Sequence, residues 1–149
     1  MKKIVTWIVI ADGSHARVVA NDGPGKGVHA VPGAEWEGDS RRTGEIMADR
    51  EGRGHESVGS MRHAVEPHSD PRQLVEDAFL HRVVDYLAEN ETMGRYDRLV
   101  RAAEPRALGT LRRALTPSLQ RKLHADLAKD LTKLRVDQLA GHLGSVLPV

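Results

Sequence analysis

The chain has 149 residues, the usual length of one domain, and its 40% hydrophobic and 29% charged residues are typical of a soluble globular fold. It contains no cysteine, which excludes disulfides, iron–sulfur clusters, thiolate zinc sites and cysteine nucleophiles. The net charge of +1 gives no sign of a polyanionic partner at the level of the whole chain, and no run approaches the ~20 apolar residues of a membrane-spanning helix.

The first predicted elements are three short β-strands. Residues 4–10 form a β-branched run that is typical of a strand buried on both faces. This run is too short for a signal peptide and is not followed by a small-residue cleavage pattern. Residues 16–21 and the weaker segment 28–31 follow after glycine-containing turns, so the three strands predict an antiparallel meander.

A long glycine-rich loop is predicted next. Residues 33–69 show no usable periodicity and contain six glycines. Ordered loops longer than ~15 residues are uncommon and are usually functional or disordered. We therefore expect a candidate functional segment here, and we expect residues 38–69 to be the most mobile part of the chain.

The remainder of the chain has an alternating helix and strand pattern. A helix is predicted over residues 70–94, because Asp70 suits the N-cap and Pro71 the first helical position. Residues 97–103 have the composition of a strand, and Pro105 opens a second helix.

The last elements are less distinct. The dipeptide Thr116-Pro117 stops or restarts the second helix. Residues 123–131 fit either a strand or a helix, and we favour a strand because two helices in succession would leave the sheet short. Residues 136–147 predict a final amphipathic helix.

The predicted order β-β-β-α-β-α-β-α indicates the fold class. It predicts a single α/β domain with a five-stranded mixed sheet, in which the antiparallel meander is followed by β-α-β-α crossovers and helices cover both faces. Ribonuclease H-like folds and the central domain of eukaryotic and archaeal peptide-chain release factors share this order. Fold analogy of this kind does not carry function.

The acidic residues do not match a two-metal nuclease, which needs several carboxylates converging on the metal ions. The first strand contains no acid, and Asp12 lies in the turn beyond it. Glu76, Asp77 and Asp97 are explained as helix and strand-end residues. No Ser/His/Asp elbow, Walker loop or dinucleotide-binding pattern is present, so we expect no metal and no cofactor.

Three histidines of the glycine-rich loop invite a zinc hypothesis. His55, His63 and His68 are spaced eight and five residues apart. Zinc needs ligands held at fixed geometry, whereas this stretch offers no helical histidine pair and no cysteine. Solvated loop histidines are therefore the favoured interpretation. A hydrolase that uses His63 with Glu66 or His68 is the least favoured alternative.

A local basic bias is more visible. Residues 95–122 contain eight basic and two acidic residues, a local charge of +6, which suits the neutralisation of phosphates. The only aromatic residue in this segment is Tyr96, so stacking platforms for single-stranded RNA are missing. A solvated arginine-rich face is the competing interpretation. The candidate basic surface consists of Arg98, Arg101, Arg112 and Arg113.

Four short segments carry a family resemblance that covers nearly the whole chain. They are TWIVIADGSHAR at residues 6–17, GSMRHAVEP at 59–67, YDRLV at 96–100 with AEPRALGTLR at 103–112, and the tripeptide DLT at 130–132 before the last helix. In this order they resemble the host attachment protein family, a bacterial group required for attachment to host cells. The resemblance implies one host attachment-type domain over residues 1–149.

That family is in turn similar to bacterial relatives of the release-factor central domain. In release factors, the loop between the meander and the first long helix carries a Gly-Gly-Gln motif that enters the peptidyl-transferase centre. Residues 52–68 occupy the matching position and contain no Gly-Gly-Gln, which puts peptide release in doubt. The resemblance instead implies a candidate interaction loop with the residues Gly52, Arg53, Gly54, His55, Gly59, Arg62 and His63.

The function expected from the sequence is that of a non-enzymatic host attachment family protein that acts through an interaction surface on an unknown protein or envelope partner. The lack of a secretion signal favours a cytoplasmic location and an indirect role in attachment. The alternative is an RNA- or ribosome-associated, release-factor-like domain without Gly-Gly-Gln, which would use the loop and the basic segment. No pattern specifies the oligomeric state.

Overall fold

A computed structural model describes residues 3–38 and 70–149. Its strands are β1 (Thr6–Ala11), β2 (His15–Asn21), β3 (His29–Glu37), β4 (Arg98–Ala103) and β5 (Leu123–Leu127). They form one sheet in the order β3-β2-β1-β4-β5. β2 is antiparallel to β1 and β3, whereas β4 is parallel to β1 and β5. The expected α/β class, with a five-stranded mixed sheet that begins as an antiparallel meander, is confirmed.

The helices of the described residues are α1 (Pro71–Thr92), α2 (Pro105–Ala114), α3 (Pro117–Lys122) and α4 (Val136–Leu143). α1, α2 and α3 each begin with proline, and the preceding side chains of Asp70, Glu104 and Thr116 accept hydrogen bonds from backbone N–H groups of the first turn. Such side chains satisfy N–H groups that would otherwise lack partners. Within residues 3–38 and 70–149, no helix combines the length and apolar character needed to cross a membrane.

The core lies on both faces of the sheet, because β1 is central and all six of its residues are buried. Trp7 and Val9 point to the face covered by α1, α2 and α3. Ile8 and Ile10 point to the opposite face, which is covered by α4 and the segment before it. Because side chains alternate along a strand, β1 contributes residues to two separate hydrophobic clusters.

Three predicted boundaries are wrong. The third strand was expected to end at residue 31, but β3 continues to Glu37 past Pro32 and Gly33 through a shift in its register with β2. The predicted loop over residues 33–69 is therefore wrong for its first five residues. β5 ends at Leu127, before residue 131, and α4 ends at Leu143, before residue 147, where the backbone turns at Gly144.

The carboxyl end of β1 lies beside the ends of several other elements. Gly38, which follows β3, donates its N–H to the carbonyl oxygen of Ser14 at 2.7 Å. The first turns of α1 also reach this end of the sheet, where Glu76 lies against Gly13. Residues 39–69 join β3 to α1 and are outside the described part of the chain. The predicted mobility of residues 38–69 therefore stays a prediction.

Candidate functional site

The candidate interaction loop lies outside the described residues. Gly52, Arg53, Gly54, His55, Gly59, Arg62 and His63 all belong to this undescribed part, as do Glu66 and His68. The two residues that flank the segment, Gly38 and Asp70, are both described. Gly38 lies at the carboxyl end of β1 through its hydrogen bond to Ser14.

The candidate basic surface is only partly a surface. Arg112 and Arg113 are exposed at the end of α2, and Arg98 is half-buried at the start of β4. Arg98 pairs with Thr6 at the amino end of β1. Arg98 therefore lies toward the end of the sheet opposite to Gly38.

Arg101 does not belong to an exposed surface, and its assignment to one is a wrong prediction. Its exposed fraction is 2%, because strand alternation places it on the same face as Leu99, beneath α2. Its guanidinium donates from Nε to Oδ1 of Asp126 at 2.6 Å and from Nη2 to Oδ2 at 2.9 Å. Arg112 donates to the same carboxylate at 3.2 Å.

The carboxylate of Asp12 organises the turn between β1 and β2. Its Oδ1 accepts hydrogen bonds from the backbone N–H groups of Ser14 at 2.8 Å and His15 at 2.7 Å. Its Oδ2 accepts a hydrogen bond from the hydroxyl of Thr132 at 3.3 Å. Asp12 thus stabilises the turn between β1 and β2 and connects it to the segment that precedes α4.

A charged cleft lies beside this turn, and its volume is about 460 Å³. It lies between the start of β2, the end of β3 and the segment before α4. We call it the charged cleft and define it by its lining residues, which are His15, Ala16, Arg17, Glu35, Trp36, Glu37 and Thr132.

Arg17 is anchored at one side of the charged cleft. Its Nη2 donates to the carbonyl oxygen of Leu131 at 2.9 Å and also to that of Leu134. Its Nε is buried and has no hydrogen-bond partner among residues 3–38 and 70–149. Burial lowers the pKa of Arg17 from its ordinary value, and the negative charge of Glu35 partly opposes that shift. The guanidinium is therefore held in a partly desolvated position.

The outer rim of the charged cleft is formed by His15 and Glu37. Nε2 of His15 lies 3.7 Å from Oε1 of Glu37, and its Nδ1 lies 3.6 Å from Oδ1 of Asp12. The side chains of His15 and Glu37 are 54% and 84% exposed, so both are accessible to a partner. An exposed imidazole and carboxylate can form ion pairs and hydrogen bonds with groups outside the chain.

The sequence pattern does not identify the cleft residues as a site. The prediction ended the third strand at residue 31, so Glu35 and Glu37 were assigned to a loop. The signal that could have found them is the alternation of alanine, glutamate and tryptophan over residues 34–37, which is a strand pattern. Paired with β2, that pattern puts Arg17 and Glu35 opposite each other.

The acids considered for a metal site do not come together in the described residues. Asp77 accepts hydrogen bonds from Gln73 at 2.6 Å and Thr110 at 3.0 Å, and Asp97 accepts one from the N–H of Val5 at 2.9 Å. Across residues 3–38 and 70–149, no three histidine, aspartate or glutamate side chains are arranged to hold a metal ion.

Fold and site together define an α/β domain with a mixed sheet and a charged cleft at the carboxyl end of its central strand. The chain belongs to the family described as "Protein required for attachment to host cells", whose model matches residues 7–143. The resemblance inferred from the sequence is thereby confirmed. No curated protein matches the chain.

Among solved structures, the chain is similar to the crystal structure of the archaeal translation termination factor aRF1. The sequence identity is 13% and the TM-score is 0.49. The similarity covers 90% of this chain and 34% of the archaeal chain, so this chain spans about a third of that factor's length.

Proposed function

We propose that the chain contributes to host attachment as a non-enzymatic protein, and that it contacts a protein or envelope partner through the rim of the charged cleft. Membership of the attachment family supports the general role. The observation that carries the contact surface is the exposure of His15 and Glu37, at 54% and 84%, beside a cleft of about 460 Å³. Exposed groups of this kind determine partner choice more than affinity.

Asp12 supports the proposed contact surface by holding the turn that carries His15. In this chain, Asp12 accepts hydrogen bonds from two backbone N–H groups and one hydroxyl, all of which hold the turn in place. This turn positions His15 at the rim, so the carboxylate of Asp12 holds the rim of the charged cleft in place.

The proposal is tested by charge reversal at the rim. Cells that lack the protein are complemented with wild type, with Glu37→Lys or with the control Glu89→Lys, which changes an exposed glutamate near the far end of α1. We expect Glu37→Lys to lower attachment to cultured host cells while its cellular level stays normal, and we expect Glu89→Lys to behave as wild type. Normal attachment by Glu37→Lys would contradict the proposed contact surface.

We further propose that the protein acts from the cytoplasm, so that its effect on attachment is indirect. Fractionation of the producing cells tests this location directly. Recovery with cytoplasmic markers is the expected result, and labelling of the protein on intact cells by a membrane-impermeant reagent would contradict it. A pull-down from the same cells would identify the partner.

A second candidate function is contact with RNA or the ribosome, and the exposed Arg112 and Arg113 are the observation that favours it. The aromatic residues point to phosphate contacts in preference to base stacking. Trp7 stacks on Tyr96 with ring centroids 4.7 Å apart, and Trp36 packs against Tyr86 at 4.9 Å. These rings therefore pack against one another within the protein instead of offering a face to a base.

The RNA candidate is tested by the salt dependence of binding to total ribosomal RNA, from about 50 to about 200 mM salt. The double variant Arg112→Ala with Arg113→Ala is compared with wild type and with Arg72→Ala with Arg82→Ala, a control pair of exposed arginines on α1. Each lost phosphate contact lowers the salt slope by about 0.9 for duplex or about 0.7 for single-stranded nucleic acid. Equal slopes for the two double variants, or no binding at low salt, would eliminate this candidate.

A further inference from the structure

We propose that the charged cleft binds a small zwitterion of the α-amino acid class, with its carboxylate at Arg17 and its ammonium group at Glu35. This inference goes beyond the proposed role in attachment and does not depend on it. The two residues are register partners on neighbouring strands, so their side chains leave the same face of the sheet. Opposite charges at such positions normally pair directly.

Arg17 and Glu35 nevertheless do not form an ion pair. No contact within 4.0 Å joins the guanidinium to this carboxylate, although the negative charge of Glu35 is near enough to act on Arg17. The reason is that the guanidinium is turned toward the carbonyl oxygens of Leu131 and Leu134. The backbone before α4 therefore holds the cation away from its natural partner.

The space beside these two charges is the charged cleft. A ligand with one negative and one positive group a few atoms apart would neutralise both sides at once. A simple anion would meet the carboxylates of Glu35 and Glu37, and a simple cation would meet the guanidinium. Like charges at such distances are repulsive, so the cleft selects for a ligand that carries both signs.

The arrangement also explains the partial desolvation of Arg17. A guanidinium is costly to remove from water unless a negative group is supplied. Two backbone carbonyl groups satisfy only part of its hydrogen-bonding capacity. A ligand carboxylate would supply the missing charge without the movement of any strand.

The first experiment is calorimetric titration of the whole protein with L-leucine, L-lysine, L-glutamate and L-phenylalanine. The N-acetyl and the amide derivatives of the best binder are titrated in parallel, since each lacks one of the two charges. We expect saturable binding of at least one amino acid and a loss of tenfold or more in affinity for both derivatives. Failure of all four amino acids to bind, or equal binding of the derivatives, would overturn the proposal.

The second experiment uses variants of the wall residues. Glu35→Gln changes an exposed side chain, so folding should be retained. We expect it to weaken the binding of the zwitterion at least fivefold and to leave the binding of the N-acetyl derivative, which has no ammonium group, unchanged. Glu89→Gln is the matched control on α1 and should bind as wild type. Equal affinity of Glu35→Gln and Glu89→Gln would refute the assignment. Because attachment is tested at Glu37, failure of one proposal leaves the other standing.

Discussion

The carboxylate of Asp126 accepts two hydrogen bonds from the guanidinium of Arg101, from Nε to Oδ1 at 2.6 Å and from Nη2 to Oδ2 at 2.9 Å. This pair connects the neighbouring strands β4 and β5. The side chain of Arg101 is 3% exposed, whereas that of Asp126 is 21% exposed. The bidentate geometry explains how a charged residue is accommodated inside the sheet, since a buried guanidinium needs a carboxylate partner.

The first prediction concerns this pair. Asp126→Ala leaves the charge of Arg101 buried without a partner, so it should lower the free energy of unfolding by about 3–5 kcal/mol. Arg112→Ala removes only the exposed partner of the same carboxylate and should cost less than about 1 kcal/mol. Urea denaturation of the two variants measures both values. Similar losses in the two proteins would show that Arg101 does not depend on Asp126.

The second prediction concerns Ile8 in the central strand. Ile8 has no exposed surface and packs against the cluster that contains Leu139 and Leu143. Ile8→Ala should therefore lower the free energy of unfolding by about 2–5 kcal/mol through the cavity that it creates. Ile4→Ala is the control, because the side chain of Ile4 is 42% exposed. A cost below about 0.5 kcal/mol at Ile8 would contradict a central position for β1.

The third prediction contrasts two glycines. A Cβ atom at Gly38 would lie 2.9 Å from Cδ1 of Phe79, whose ring is 1% exposed and cannot move aside freely. Gly38→Ala should therefore destabilise the protein by about 1–3 kcal/mol. Gly141 lies within α4, and no atom of the described residues outside its own helix backbone and chain neighbours lies within 4 Å of its Cβ position. Gly141→Ala should therefore stabilise the protein by about 0.5–1 kcal/mol. Thermal unfolding of both variants provides the test, and shifts of the same sign would be inconsistent with this packing.

The fourth prediction is a pH dependence caused by Tyr96. Burial, with a smaller contribution from Glu91, raises the pKa of the Tyr96 hydroxyl above its ordinary value. The unfolded chain therefore loses this proton first as the pH rises above ~10, so stability is complete below that pH and declines above it. In Tyr96→Phe this contribution is absent, and its stability should fall less steeply with pH than that of wild type.

The same variant also has an expected effect at neutral pH. The hydroxyl of Tyr96 donates to the carbonyl oxygen of Leu87 at 2.6 Å, so its loss should cost about 0.5–1.5 kcal/mol. Urea denaturation at neutral and alkaline pH separates the two effects. Parallel pH profiles for wild type and Tyr96→Phe would show that Tyr96 titrates normally.

The candidate site could be predicted only in part from the sequence. Arg112 and Arg113 are exposed as the local density of basic residues suggested, because a helix end leaves long side chains in solvent. Arg101 belongs to the same basic segment but is buried, because its environment depends on Asp126 from a strand 25 residues later in the chain. The density of basic residues in a segment gives no information about a partner so distant in the chain.

In the fold, too, some features follow from the local sequence and others depend on tertiary contacts. β1 and the start of α1 are recognisable from the sequence alone, because a β-branched run and an Asp-Pro cap act through neighbouring residues. The register that places Arg17 opposite Glu35, and the cleft beside these residues, were decided by the tertiary structure. Strand register and the direction of a side chain depend on which distant segments meet, and composition and periodicity contain no record of that pairing.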